Sequence, residues 1–94
     1  MSESNITRHL RISGRVQGVG FRYHFVRAAR ECGIAGWVRN LRDGSVEAVV
    51  SGTPDAVDRI TAWARKGPPH AAVTGMEVEA ANGSFSTFET LPTE

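Results

Sequence analysis

The chain is short of several things, and each shortage removes a class of protein. Only one of its 94 residues, Cys32, is a cysteine, so no disulfide can form within it. Histidine occurs three times, and no His, Cys, Asp or Glu residues stand at the spacing of a metal centre. No apolar run approaches the ~18–20 residues that cross a bilayer. The opening Met1-Ser2-Glu3-Ser4-Asn5 is polar and resembles no secretory leader. Asn5-Ile6-Thr7 and Asn82-Gly83-Ser84, which match glycosylation acceptors, therefore carry no weight, and a cytoplasmic location is expected. The net charge of +1 is too small to hold nucleic acid or a membrane by bulk electrostatics, since a dedicated nucleic-acid module is usually far more basic. It leaves room for a local anion site. No repeat, low-complexity tract or linker divides the chain, so residues 1–94 are expected to form a single domain. A chain of this length buries roughly 60–65% of its unfolded surface, enough for one core.

What is present is strong periodicity. Residues 1–6 are read as a loose terminus. From Thr7 to Val16 the residues Leu10, Ile12, Gly14 and Val16 share one face and Arg11, Ser13 and Arg15 the other, a half-buried strand. From Tyr23 to Glu31, Phe25, Val26 and Ala29 form a helical stripe that continues to Cys32, and Gly33 suits the helix end. Gly36–Leu41 and Val46–Ser51 read as a hairpin around Asp43-Gly44. Thr53-Pro54-Asp55 opens a second helix with Val57, Ile60 and Ala64 inward, and Gly67-Pro68-Pro69 stops it. Met76, Val78 and Ala80 alternate as a fourth strand, and residues 85–91 suggest a short fifth at an edge. The order β-α-β-β-α-β predicts a ferredoxin-like α+β sandwich, with a mainly antiparallel sheet and two helices on one face.

The stretch Gly14-Arg15-Val16-Gln17-Gly18-Val19-Gly20-Phe21-Arg22 interrupts this regularity. Its glycines mark a loop with unusual torsions, and it runs into a helix N-terminus, where free N–H groups and the helix dipole favour an anion. Arg22 sits where that dipole disfavours a cation, a broken local rule beside an anion-friendly loop. In the predicted topology the first two strands run parallel with the third between them. Their C-terminal ends then share one sheet edge, roughly 10 Å apart, and Asn40 joins the glycine loop there. Plainer roles exist for each residue: turn chemistry for the glycines, a solvated side chain for Arg22, a turn hydrogen bond for Asn40, a structural role for His24 and core packing for Cys32. The P-loop pattern fails because Val19 stands where its second glycine is needed, and the dinucleotide pattern fails at Tyr23.

The glycine stretch, together with Gly36-Trp37-Val38-Arg39-Asn40 and Asp43-Gly44-Ser45-Val46-Glu47, resembles the acylphosphatase family, and the likeness extends to Gly67-Pro68-Pro69. The resemblance implies cofactor-free hydrolysis of small acyl phosphates to carboxylate and phosphate. It puts the catalytic arginine at Arg22 and the catalytic asparagine at Asn40. The phosphate loop falls on Arg15, Val16, Gln17, Gly18, Val19, Gly20 and Phe21, with no metal. Gly20 stands where some members carry a bulkier residue. The expected partners are the acyl phosphate substrate and inorganic phosphate as product or competitor, with no nucleic acid and no membrane, and a monomeric state. A non-catalytic ligand-binding or RNA-binding module of the same fold is the alternative. An RNA-binding sheet needs exposed aromatics on central strands, and the first strand has none.

Overall fold

Apolar alternation becomes a sheet covered on one side. A computed structural model describes residues 4–94. The described elements are β1 (Ile6–Arg15), α1 (Phe21–Glu31), β2 (Ala35–Asn40), β3 (Val46–Gly52), α2 (Pro54–Lys66), β4 (Ala72–Ala80) and β5 (Phe88–Thr90). The strands lie in the order β4-β1-β3-β2-β5. β3 is antiparallel to both β1 and β2, so β1 and β2 run parallel and end at the same sheet edge. This is the expected ferredoxin-like α+β arrangement, with β5 added parallel to β2.

The inward faces make one core. Leu10, Ile12, Val38, Ala48 and Val50 come from the sheet, Phe25 and Ala29 from α1, and Val57, Ile60 and Ala64 from α2, and each is fully buried. Burying such a larger side chain stabilises the fold by about 1.5–3 kcal/mol. Phe25 stacks on Phe88 at 5.5 Å and meets Trp63 edge-on at 5.5 Å, which joins both helices to the edge strand. Each helix end is closed locally. Thr53 accepts the Ala56 N–H at 3.2 Å as an N-cap. α1 ends with Ile34 N–H on the Ala29 carbonyl and Gly33 N–H on that of Arg30, a Schellman closure.

The structure refines the sequence reading at several boundaries. Residues 1–3 of the expected loose terminus lie outside the described residues, while Ile6 already pairs with Gly52. Helix α1 begins at Phe21 rather than Tyr23, because Phe21 is buried against Trp63, 5.5 Å between ring centres. A register shift between Ser13 and Gly14 leaves Thr74 of β4 without a partner; Gly14 is exposed, while Val16 returns to the buried face of Leu10 and Ile12. The extra residue of this bulge therefore belongs to β4, and it is that strand's alternation that is interrupted. β4 starts at Ala72, four residues before its alternation begins at Met76, because its first half is held by pairing with β1 through Arg15↔Ala72 and Gly14↔Val73.

The sheet's other face carries a charge ladder. Arg11 lies opposite Glu77 on β4 and Glu47 on β3, and Glu47 lies opposite Arg39 on β2. Glu47 accepts from Arg39 Nε and pairs with His9 Nε2, both at 2.7 Å. Burial alone would raise the Glu47 pKa, but these two partners outweigh it and hold the carboxyl below its ordinary value. Trp37 on β2 lies beneath the Arg39 guanidinium, 4.8 Å away. The central strands thus present paired charges rather than the stacking platform an RNA-binding sheet needs.

Candidate active site

The glycine loop is strung between two core anchors, Val16 at 1% exposure and Phe21 at 2%. Between them Gly18 has φ 74° and Gly20 φ 77°, and no non-glycine residue among those described has positive φ. The backbone therefore alternates in sign from Gln17 to Phe21. Such alternation curls successive N–H groups toward one concave side, a nest for an anion. Open space surrounds the position of a Gly18 side chain, so glycine is required there by torsion rather than by crowding.

The nest continues into α1. Gly20 is the N-cap and provides no side-chain cap, and no acidic residue occupies the first turn. The intrahelical bonds start with His24 N–H on the Gly20 carbonyl at 3.1 Å. The N–H groups of Phe21, Arg22 and Tyr23 are thus the orphan donors of the helix start, where the dipole favours negative charge. Arg22 stands half-buried among them. Among the described residues it forms no ion pair, unlike Arg8, Arg11, Arg39 and Arg59, and of the six arginines without one it alone is not exposed.

Asn40 reaches the same edge from the other side. It closes β2 opposite Val46, and its carbonyl accepts the Glu94 N–H at 3.1 Å, so its backbone is held on both flanks. Its side-chain Oδ1 is buried with no hydrogen-bond partner in the protein. An unpaired buried acceptor costs about 1–3 kcal/mol, so Oδ1 is a polar atom left unsatisfied by the described residues.

These groups line a single cavity of about 360 Å³, walled by Val16, Gln17, Gly18, Gly20, Phe21 and Arg22 on one side and by Asn40 on the other. Arg15 and Val19, both expected in the loop's binding set, are not part of its wall. Arg15 is the last residue of β1, paired with Ala72, and Val19 packs against the core. Tyr23 and Thr90 line the cavity as well, and the sequence had singled out neither. Tyr23 is 63% exposed. Thr90 arrives through the parallel pairing of β5 with β2, which no local pattern announces. A larger cavity of about 520 Å³ opens between His24 and Arg27 of α1 and Trp63 and Lys66 of α2. It contains neither the nest nor Asn40.

The turn beside Asn40 is itself well tied. Asp43 accepts the Ser45 hydroxyl at 2.5 Å and the Ser45 N–H at 2.9 Å, and it pairs with Arg11. The Ser45 bonds, hydroxyl first, and then Arg11 outweigh desolvation and hold the Asp43 pKa down at about 2.

A nest of N–H donors with a free arginine can grip a tetrahedral oxyanion, and an unpaired amide oxygen opposite can orient a donor such as water. The family model described as acylphosphatase matches residues 8–90. The chain belongs to the acylphosphatase family. A curated acylphosphatase of Thermococcus kodakarensis is 57% identical over 74 residues, covering 79% of this chain and 81% of that protein. One from Thiobacillus denitrificans is 53% identical over 83 residues, covering 88% and 93%. Among solved structures, an acylphosphatase from Coxiella burnetii superposes with a TM-score of 0.89 at 38% identity, covering 93% of each chain. The segment matched by the acylphosphatase model contains the loop, Arg22 and Asn40.

Proposed function

We propose that this protein is an acylphosphatase that hydrolyses the carboxyl-phosphate anhydride of small acyl phosphates at the cavity between the glycine loop and Asn40. The observation that carries the reading is the facing of two groups across one cavity: the nest and Arg22 on one wall, and on the other Asn40, whose Oδ1 has no partner in the protein. The N–H groups around Gly18 to Arg22 hold phosphoryl oxygens, and the Arg22 guanidinium adds charged, directional donors. Asn40 accepts a hydrogen bond from a water and aims its oxygen at phosphorus, opposite the acyl oxygen. The water oxygen–phosphorus bond forms as the phosphorus–acyl oxygen bond breaks, and the electron pair leaves on the carboxylate. The amide is no base at neutral pH, so the water's proton passes to a phosphoryl oxygen.

The residue set is sparse because the chemistry demands little. A carboxylate is a weak base and leaves without a general acid, so only positioning and charge stabilisation remain. No step in this scheme requires a metal. The reading also takes the protein as a cytoplasmic monomer, and no helix among the described residues is long and apolar enough to cross a membrane.

Purified protein should release phosphate from acetyl phosphate, inorganic phosphate should compete, and EDTA should leave the rate unchanged. In ¹⁸O-water the label should appear in phosphate. Label in acetate instead, or no turnover at all, would refute the proposed reaction.

A further inference from the structure

Gln17 contributes more than its backbone to this site. Its side-chain Nε2 donates to two carbonyls of the β2–β3 turn, Leu41 O and Ser45 O, each at 2.8 Å. Those carbonyls lie 24 and 28 residues further along the chain, and Leu41 directly follows Asn40. The amide thereby ties the anion loop to the strand end that carries the opposite wall of the cavity.

The turn does not need Gln17 to satisfy its own groups. Leu41 O already accepts the Gly44 N–H at 3.1 Å, and Ser45 O the Leu41 N–H at 2.9 Å. Ser45 is fixed independently through Asp43. A carbonyl has two lone pairs, and Gln17 fills the second of each. The loop, by contrast, has no other described side-chain bond to β2 or β3. Its glycines give the torsions for a nest, and it meets the core through Val16, Val19 and Phe21. This amide is thus the one described side-chain hydrogen-bond link between the nest and the turn that follows Asn40.

We infer that Gln17 is a positioning residue, whose side chain holds the phosphoryl-binding loop in register with Asn40 so that the bound phosphorus and the oriented water meet in line. This rests on the proposed acylphosphatase reading of the site. A misplacement of about 1 Å at a reacting centre can cost on the order of 100-fold in rate. The nest and Arg22 survive loss of the amide, so the effect should fall on turnover more than on anion binding.

The test is a kinetic cycle on acetyl phosphate with inorganic phosphate as competitive inhibitor, using Gln17→Met, Asn40→Ala and the double variant, with thermal melts alongside. Met keeps the length of the side chain and removes the donor. Gln17→Met should lower kcat about tenfold or more while the phosphate inhibition constant rises less than about threefold. Adding it to Asn40→Ala should cost little further, because the two act through one geometry. Additive losses, or a kcat drop matched by an equal loss of phosphate affinity, would overturn the inference. Near-parental turnover of Gln17→Met with Asn40→Ala impaired would overturn it alone, whereas a fully active Asn40→Ala protein would overturn the underlying reading as well.

Discussion

Two groups of charge on this molecule are built on opposite principles. On the open face of the sheet the charges of the central strands are paired: Glu47 sits between His9 and Arg39, and Arg11 reaches Asp43. At the sheet edge Arg22 has no carboxylate among the described residues, the helix start has no acidic cap, and Asn40 Oδ1 has no donor. The paired region is arranged for itself. The edge region leaves donors and an acceptor unpaired among the described residues, at a cost in stability. Unsatisfied polar atoms gathered around one cavity are the physical signature of a site, since natural structures tolerate them where function requires it.

Substitutions should separate the two regions cleanly. The largest effect should come from Arg22→Ala, which removes the one charged donor of the cavity. It should lower kcat/KM for acetyl phosphate by about a thousandfold and weaken phosphate inhibition, with an unchanged circular dichroism spectrum. Asn40→Ala follows, with kcat down about a hundredfold and phosphate inhibition nearly kept. Gly18→Ala forces a side chain to φ 74°, so it should cost about 1–2 kcal/mol in denaturant unfolding and raise the phosphate inhibition constant several-fold. On the open face, Glu47→Gln should destabilise by about 1–2 kcal/mol, through the weakened charged hydrogen bonds, and leave kcat untouched. A change in kcat there would erase the distinction between the regions.

The smallest effect is one of pH. The Asp43 carboxyl titrates at about 2 in the folded protein against an ordinary 3.8. A depressed folded pKa means that the unfolded chain binds the proton first as pH falls. Its stabilisation is complete above the unfolded value and lost between about pH 4 and 2. The melting temperature of the parent should fall more steeply across that window than that of Asp43→Asn.

Much of this was legible in the sequence. The glycine spacing marked the loop because Gly18 and Gly20 take torsions that other residues avoid. Asn40 became a partner for Arg22 only through topology, which the Asp43-Gly44 turn and the alternation of β1 and β3 made readable. Other features left no local trace. Phe21 was counted with the loop, yet its ring is a core anchor, a placement decided by Trp63 far along the chain. The short edge strand expected within residues 85–91 is present as Phe88–Thr90, but its parallel pairing with β2, which brings Thr90 to the cavity, had no local signal. The side-chain reach of Gln17 to the turn is a tertiary contact between polar groups, and hydrophobic patterning is blind to it. The bulge in β4 opposite Ser13 and Gly14, likewise, arises from pairing with β1.

The central claim is that one wall of the cavity binds phosphate while the other directs water. It is tested most directly by measuring kcat on acetyl phosphate and the inhibition constant for inorganic phosphate in the same preparation of Asn40→Ala. The account predicts a kcat lower by about a hundredfold with an inhibition constant within about threefold of the parent. Parental kcat, or loss of phosphate affinity in step with loss of turnover, would contradict it.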